Sequence, residues 1–127
     1  MASGLTLDAG ALIGIEKRDR RCQDILNKAL ERGVRVTLPA VVLAQVWRGN
    51  SPLIARLLQG CVVETLDEDQ AKSIGALLGG CAGALDVVDA AVVVGAAARH
   101  DAIVTSDPDD IHRLLATLRS KCRILPV

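Results

Sequence analysis

Short apolar runs of strand length alternate along the chain with longer segments of helical periodicity. This alternation is typical of a parallel β-sheet covered by helices. We predict strands at residues 5–7, 35–38, 61–66, 102–105 and 122–125. We predict helices at residues 9–16, 21–31, 39–47, 52–59, 67–78, 86–100 and 109–119, with Gly79, Gly80 and Gly83 ending the fifth. The pattern therefore indicates an α/β fold.

The chain is the size of one domain, residues 1–127, and half of its residues are apolar, which is enough to build a core. Fifteen basic residues balance fifteen acidic ones, so the net charge is near zero. This argues against binding of long nucleic acid by net charge alone. The first 60 residues nevertheless hold nine Lys or Arg against five Asp or Glu. An acidic centre beside a basic shoulder is compatible with a phosphate-containing substrate.

The four cysteines are widely spaced and form no Cys-x-x-Cys pair, so we predict free thiols and a reducing, cytoplasmic location. The first residues, Met1 to Ser3, lack the features of a signal peptide, and no apolar run reaches the ~20 residues of a membrane span. We therefore expect a protein that does not bind a membrane.

Three aspartates occupy positions where the chain could bring their carboxylates together. Asp8 closes the first strand, Asp107 closes the fourth, and Asp89 begins the most apolar helix. If the two strands are parallel neighbours, their carboxyl ends lie at one edge of the sheet, where open α/β folds bind ligands. Converging carboxylates repel one another unless they hold a cation, and Mg²⁺ or Mn²⁺ prefers their oxygens. The pattern therefore predicts a metal site.

Each of these residues also has a simpler explanation, because acids are common at helix N-termini. Asp8 and Asp107 could be N-caps, the second followed by Pro108, and Asp86 and Asp89 could share a first turn. Their joint position at one sheet edge favours the metal interpretation. A divalent ion held there would activate a water for in-line attack on a phosphodiester, which is the chemistry of metal-dependent nucleases.

Four motifs follow one another along the chain. They are Leu7-Asp8-Ala9-Gly10-Ala11-Leu12-Ile13, Leu38-Pro39-Ala40 through Ala44-Gln45-Val46-Trp47-Arg48-Gly49, Val88-Asp89-Ala90-Ala91-Val92, and Val104-Thr105-Ser106-Asp107. In this order and spacing the chain resembles PIN domains, and among them the VapC-type ribonuclease toxins of bacterial toxin–antitoxin pairs. The resemblance covers nearly the whole chain.

This resemblance implies a PIN-like three-layer sandwich, whose central, mostly parallel five-stranded sheet has its first and fourth strands adjacent. It also implies an Mg²⁺- or Mn²⁺-dependent endoribonuclease, the toxin of a type II toxin–antitoxin pair. The implied partners are an RNA substrate, a cognate antitoxin protein that covers the acids, and a second copy of the chain in a homodimer.

The same resemblance assigns roles to residues. Asp8, Asp89 and Asp107 are the implied metal ligands, and Asp86 adds a further carboxylate beside them. Thr105 and Ser106 would hold these ligands by hydrogen bonds.

The chain departs from the family pattern at Gln45, where most relatives carry a glutamate. A neutral amide can still orient a water, but it removes one negative charge from the catalytic group of Asp8, Asp89, Asp107 and Gln45. Ala9 and Gly10 also stand where hydroxyl residues are common. The alternative function is therefore a catalytically weak or inactive module that binds RNA or protein.

Contacts to RNA are expected from basic residues near the ends of helices. Arg48 could meet RNA or a partner, and Arg18, Arg20 and Arg21 form the densest basic cluster, although a solvated helix start explains them equally well. For Trp47 we expect packing rather than base stacking.

Two other folds with acidic pockets agree less well with the sequence. A phosphoacceptor receiver domain needs an aspartate ending the third strand, where this chain has Glu64 and Thr65. A haloacid-dehalogenase-type phosphatase needs a second aspartate two positions after Asp8, where Gly10 stands.

Overall fold

The computed structural model describes residues 4–83 and 85–127, so the N-terminal residues considered above for a signal peptide lie outside it. Within the described residues, five strands alternate with seven helices. In chain order they are β1 (Leu5–Leu7), α1 (Ala9–Glu16), α2 (Arg20–Glu31), β2 (Val36–Pro39), α3 (Ala40–Val46), α4 (Pro52–Leu58), β3 (Val62–Glu64), α5 (Glu68–Gly80), α6 (Val87–Arg99), β4 (Ala102–Thr105), α7 (Pro108–Leu118) and β5 (Ile124–Pro126).

The strands form one sheet in the order β3-β2-β1-β4-β5, and every neighbouring pair is parallel. The predicted adjacency of the first and fourth strands is confirmed, since Leu5 pairs with Ala102 and Leu7 with Val104. Because all strands run the same way, their carboxyl ends lie at one edge, which we call the carboxyl edge. This edge carries the predicted aspartates.

Helices cover both faces of the sheet. The chain moves outward from β1 to β3 on one side and then returns to β4 and β5 on the other. Right-handed crossovers in these two directions put α1–α4 on one face and α5–α7 on the opposite face. Contacts of α1 with α2, α3 and α4, and of α5, α6 and α7 with one another, agree with this arrangement. The predicted three-layer sandwich is confirmed.

The core is formed by the three central strands and by α6. All residues of β1, β2 and β4 are buried, as continuous apolar strands covered on both faces should be. In α6 the run from Ala90 to Val93 is buried together with Gly95 and Ala96, which confirms the expected central position of this helix. In contrast, Val62 and Val63 of the edge strand β3 remain exposed.

Several predicted boundaries are wrong. Gly79 and Gly80 do not break α5, which continues to Gly80 and ends where Cys81 adopts an extended backbone. Glycine inside a helix costs only about 1 kcal/mol, and packing of α5 against α6 and α7 offsets this. The third and fifth strands are also shorter or shifted, because an edge strand pairs only where its single neighbour offers partners.

Two further sequence expectations can be compared with the structure. All four cysteines are free, with Cys22 buried and Cys61, Cys81 and Cys122 half-buried. Among the described residues, none of the helices combines the length and apolar character needed to cross a membrane.

Candidate metal centre

Asp8 and Asp107 leave the sheet at the carboxyl edge from adjacent strands. Asp8 follows β1 and is the N-cap of α1, and Asp107 follows β4 and is the N-cap residue of α7. The Asp8 backbone N–H donates to the carbonyl of Val104 at 3.1 Å, which extends the pairing of the two strands to their ends. The topology therefore brings these two aspartates to the same part of the molecule, as expected.

Asp8 is a buried carboxylate held at both oxygens, with only 3% of its surface exposed. One oxygen accepts the backbone N–H of Ala11 at 2.8 Å and the other accepts that of Ser106 at 3.2 Å. Burial raises the pKa of Asp8, while hydrogen bonds from the Thr105 hydroxyl and from the N–H groups of Ala11 and Ser106 oppose this increase. Asp8 thus caps α1 and also links α1 to the loop after β4.

Asp89 lies half-buried in the first turn of α6. The preceding N-cap, Asp86, accepts the Asp89 backbone N–H at 2.7 Å, so one Asp86 oxygen is committed to the cap. Burial first, and then the charges of Asp86, Asp8, Asp107 and Asp110, raise the pKa of Asp89 to about 7. Asp89 therefore lies near carboxylates from the start of its own helix and from two other segments of the chain.

Asp107 occupies a capping position without capping. Its side chain makes no cap hydrogen bond to α7, and its backbone N–H donates to the Thr105 hydroxyl at 2.8 Å. Partial desolvation raises the pKa of Asp107, with additional contributions from a hydrogen bond to Asp110 and from the charges of Asp110 and Asp109. Its carboxylate is exposed and lies next to Asp110.

Asp89, Asp107 and Asp110 form the tightest group, which we call the acidic cluster. One carboxylate oxygen from each lies within 4.8 Å of the others. Hard oxygen donors at this separation fit Mg²⁺ or Mn²⁺. Burial is the first cause of the raised pKa values of Asp89 and Asp107, and the neighbouring carboxylates add to it. The donor set therefore suits a divalent cation.

Asp110 is not among the residues predicted for the site. Its spacing of three residues from Asp107 puts both side chains on one face of α7, which is the signal that could have identified it. Asp86 lies beside Asp89 but outside the three-residue group.

Thr105 and Ser106 support the site from β4. Thr105 is fully buried, and its hydroxyl accepts the N–H of Asp107. Ser106 supplies the N–H that binds Asp8, and its side chain fills the space beside Gly10. A Cβ atom on residue 10 would collide with the Ser106 hydroxyl and lie 2.5 Å from its Cβ. A serine in the loop after β4 thus occupies the space that a larger residue at position 10 would take.

The structure does not join Gln45 to the acidic cluster. Gln45 is exposed in the last turn of α3, and no hydrogen bond between side chains in residues 4–83 and 85–127 connects it to an aspartate. Arg48 donates to the carbonyls of Ala44 at 3.3 Å and Trp47 at 2.8 Å, so it caps the end of its own helix. Trp47 is half-buried against the core, in agreement with the expected packing role.

The predicted phosphate-binding arginines lie at the start of α2. Arg18 is in the turn before it with a positive φ of 59°. Arg21 donates from Nε to the carbonyl of Pro126 at 2.7 Å. A cavity of about 530 Å³, the basic groove, lies between α2 and β5. It is lined by Arg20, Arg21, Asp24, Ile25, Lys28 and Leu125.

Comparison with known proteins gives a likeness at the level of fold. No protein-family model and no curated protein matches the sequence. Among solved structures, one similar chain belongs to the crystal structure of VapBC2 from Rickettsia felis bound to a promoter DNA fragment. It superposes with a TM-score of 0.69 at 15% sequence identity. The match covers 95% of this chain and 96% of the other. It shows a shared fold, which is the PIN-like fold that the motifs led us to expect.

Proposed function

We propose that this chain is a metal-dependent endoribonuclease and the toxin of a type II toxin–antitoxin pair. The observation that carries the proposal is the convergence of Asp89, Asp107 and Asp110 next to the buried Asp8 at the carboxyl edge. Four acids from distant parts of the chain are costly to bring together unless a cation offsets their repulsion. The shared fold with a chain of the VapBC2 structure and the PIN-type motifs point to the same activity.

The acidic cluster and Asp8 would together hold one Mg²⁺ or Mn²⁺ ion. Such an ion lowers the pKa of a water and offsets charge on the phosphodiester during in-line attack. The two carboxylate oxygens of Asp8 accept the backbone N–H groups of Ala11 and Ser106, so Asp8 would have a fixed position beside the ion. The Thr105 hydroxyl would hold the loop of Asp107 by accepting the Asp107 backbone N–H. Gln45 would contribute an amide that orients water once RNA closes over the exposed end of α3.

The proposed partners follow from the same likeness. A cognate antitoxin protein would cover the carboxyl edge, where a basic side chain could pair with the acids. The VapBC2 structure, in which the similar chain occurs, is a complex bound to DNA. We also propose a homodimer, for which exposed aliphatic side chains such as Val62, Val63 and Leu66 provide apolar surface. A cytoplasmic location is proposed because an RNase toxin acts on cellular RNA.

The activity is tested with purified protein and structured RNA. Cleavage is expected with Mg²⁺ or Mn²⁺, to disappear in EDTA, and to fall by at least about 100-fold in Asp8→Asn and Asp89→Asn, because each change removes a charge that holds the ion. Gel electrophoresis of end-labelled RNA measures the rate.

A matched control is Asp67→Asn. Asp67 caps α5 by accepting the N–H of Gln70 at 2.8 Å, and asparagine caps about as well as aspartate. Its cleavage rate should stay at the wild-type level. If Asp8→Asn and Asp89→Asn also cleave at the wild-type rate, the proposed site is wrong.

The exposed, neutral Gln45 favours one alternative, a PIN-fold module that binds RNA or protein without efficient cleavage. This alternative requires RNA binding without turnover at any divalent ion concentration. Gln45→Glu would then restore measurable cleavage if the missing negative charge is the cause, whereas the proposed nuclease cleaves RNA without this change.

A further inference from the structure

We propose that the basic groove between α2 and β5 binds backbone phosphates of RNA on one side of the bond that is cut. This inference rests on the proposed nuclease function and adds to it the surface that positions the substrate. It also extends the sequence prediction for Arg20 and Arg21 to Lys28 and to two apolar side chains.

The lining of the basic groove has the chemistry of a phosphate-backbone site. Arg20, Arg21 and Lys28 supply three cations against the single carboxylate of Asp24. All three basic side chains are exposed, and no ion pair in residues 4–83 or 85–127 engages them. Arg21 also donates from Nε to the carbonyl of Pro126, which leaves its other guanidinium nitrogens available. Exposed guanidinium and ammonium groups are well suited to phosphate oxygens.

The apolar part of the lining distinguishes this cavity from a simple charged surface. Ile25 and Leu125 are half-buried and face the same space as the cations. An RNA strand presents both anionic phosphates and the less polar faces of its sugars and bases. A cavity of about 530 Å³ that offers cations beside aliphatic side chains matches this combination.

The groove lies beside the carboxyl edge. Arg21 donates to the carbonyl of Pro126, and Pro126 pairs in the sheet with Thr105, two residues before Asp107. The start of α2 is therefore close to the carboxyl ends of β5 and β4.

The charge distribution makes such a groove necessary for binding. The chain has no net charge, and the acidic cluster repels a polyanion wherever a cation does not neutralise it. Binding of RNA therefore depends on a local basic surface rather than on the net charge of the molecule. Within the described residues, the basic groove offers three basic side chains that form no ion pair, with Arg21 next to the carboxyl edge.

The test measures RNA binding in EDTA, where cleavage does not occur. The probe is a fluorescein-labelled, mixed-sequence single-stranded RNA of about 12 nucleotides, titrated by anisotropy at several salt concentrations. The double variant Arg20→Gln/Lys28→Gln should bind about tenfold more weakly at low salt, and the slope of log affinity against log salt should decrease by about 1.4, or ~0.7 for each lost phosphate contact. It leaves the Arg21 hydrogen bond to Pro126 intact.

The matched control is Lys121→Gln/Arg123→Gln, which removes the same charge at the opposite end of β4 and β5. These residues line a separate cavity with His100 and Asp101. Their loss should change RNA affinity less than twofold, and thermal melting should show both variants folded. Equal weakening by the two double variants would mean bulk attraction and would overturn the proposal, as would unchanged binding in the groove variant.

A second arm separates RNA from an acidic protein segment as the occupant. A fluorescein-labelled poly-glutamate peptide is titrated in the same way. Loss of peptide binding with unchanged RNA binding in the groove variant would overturn the assignment to RNA. The same measurements distinguish a failure of the nuclease proposal from a failure of the groove proposal. RNA binding that depends on the groove, without cleavage, would refute the nuclease and support the groove. Cleavage with RNA binding that does not depend on the groove would support the nuclease and refute the groove.

Discussion

The carboxylate of Asp89 is held among like charges in a half-buried position. Its pKa is raised to about 7 from an ordinary value of 3.8, by burial first and then by Asp86, Asp8, Asp107 and Asp110. Between these two pH values, the folded chain retains a proton that the unfolded chain has lost. Rising pH in this range therefore stabilises the unfolded state relative to the folded state. Above pH 7 both states are ionised and the effect no longer grows.

We predict that Asp89→Asn becomes increasingly stabilising, relative to wild type, as the pH rises from about 4 to about 7 in EDTA. The substitution removes the charge that the folded state disfavours while it keeps the size of the side chain. Urea unfolding at a series of pH values measures the difference in free energy of unfolding. A difference that is constant or shrinks over this range would contradict the raised pKa.

Asp110 and Asp86 give a prediction about which acids hold the ion. Saturating Mn²⁺ should stabilise the wild type, by about 2.7 kcal/mol at 100 times the dissociation constant. Asp110→Asn should lose most of this stabilisation, because Asp110 belongs to the acidic cluster. Asp86→Asn should lose less, since asparagine preserves the cap to Asp89. Thermal melting with and without Mn²⁺ measures both, and a larger loss in Asp86→Asn would reverse the assignment.

The convergence of Asp8, Asp89 and Asp107 could be predicted because each residue follows or begins an element at the end of an apolar run. Asp110 could not, since Pro108 and the acids behind it have the pattern of an ordinary helix start. Only the structure shows that the Asp107 side chain leaves the cap unfilled and meets Asp110. The relation of Gly10 to Ser106 was equally inaccessible, because the two residues are far apart in sequence.

At the scale of elements, α6 is tied to the sheet at the end opposite Asp89. Arg99 donates from Nε to Asp101 at 2.9 Å and pairs with Glu64 of β3. The Thr6 hydroxyl of β1 accepts from Arg99 at 3.0 Å and donates to Asp101 at 2.8 Å. Asp101 is only 3% exposed. This network fixes α6, and with it the first turn that presents Asp89.

We predict that Asp101→Ala lowers the free energy of unfolding by about 2 to 3 kcal/mol, because it removes the buried partner of Thr6 and one of the two carboxylates that pair with Arg99. The matched control is Glu68→Ala, which breaks a pair to Lys72 whose side chains are 79% and 73% exposed. Such a pair contributes at most about 0.5 kcal/mol. Urea unfolding measures both changes. Similar losses in the two variants would show that the buried network stabilises the fold no more than an exposed ion pair does.

The order of helices and strands could be predicted because short apolar runs differ clearly from longer segments with a period of 3.6 residues. Element ends were less accessible. The continuation of α5 through Gly79 and Gly80 depends on its packing against α6 and α7, which local propensity does not contain. The span of β5 depends on where β4 offers partners, from Ile103 to Thr105. Tertiary contacts, not local signals, set these limits.

At the scale of the whole molecule, the acidic cluster joins segments that lie far apart in sequence. Asp89 lies in α6 and Asp107 follows β4. The neighbouring Asp8 follows β1, near the start of the chain. These groups meet only when the complete sheet and both helical layers have formed. A bound ion therefore interacts with the folded state and not with any single segment.

We predict that Mn²⁺ raises the urea midpoint of unfolding without changing the slope of free energy against urea. The proposed ion would bind only the folded state, and the surface exposed on unfolding would stay the same. Circular dichroism and Trp47 fluorescence should give coincident transitions at each Mn²⁺ concentration. A second transition at high Mn²⁺ would show that the ion stabilises only part of the chain.

The arrangement of the strands in space could not be obtained from periodicity, which gives only their order along the chain. The adjacency of β1 and β4 came from the resemblance of four motifs to PIN domains, and the pairing of Leu5 with Ala102 confirms it. The basic groove joins the start of α2 to the last strand, a contact between positions 21 and 126. Such distant contacts leave no local trace in a single sequence.

The interlocked packing of Gly10 and Ser106 restricts how this protein can change over generations. A larger residue at position 10 is tolerated only if position 106 becomes smaller in the same lineage, because both occupy one space beside Asp8. The two positions must therefore be inherited as a pair. Natural variants should have a small residue at position 10 with a larger one at position 106, or a larger residue at position 10 with a small one at position 106. A chimera that takes the two segments from different parents should lose the hydrogen bond that holds Asp8.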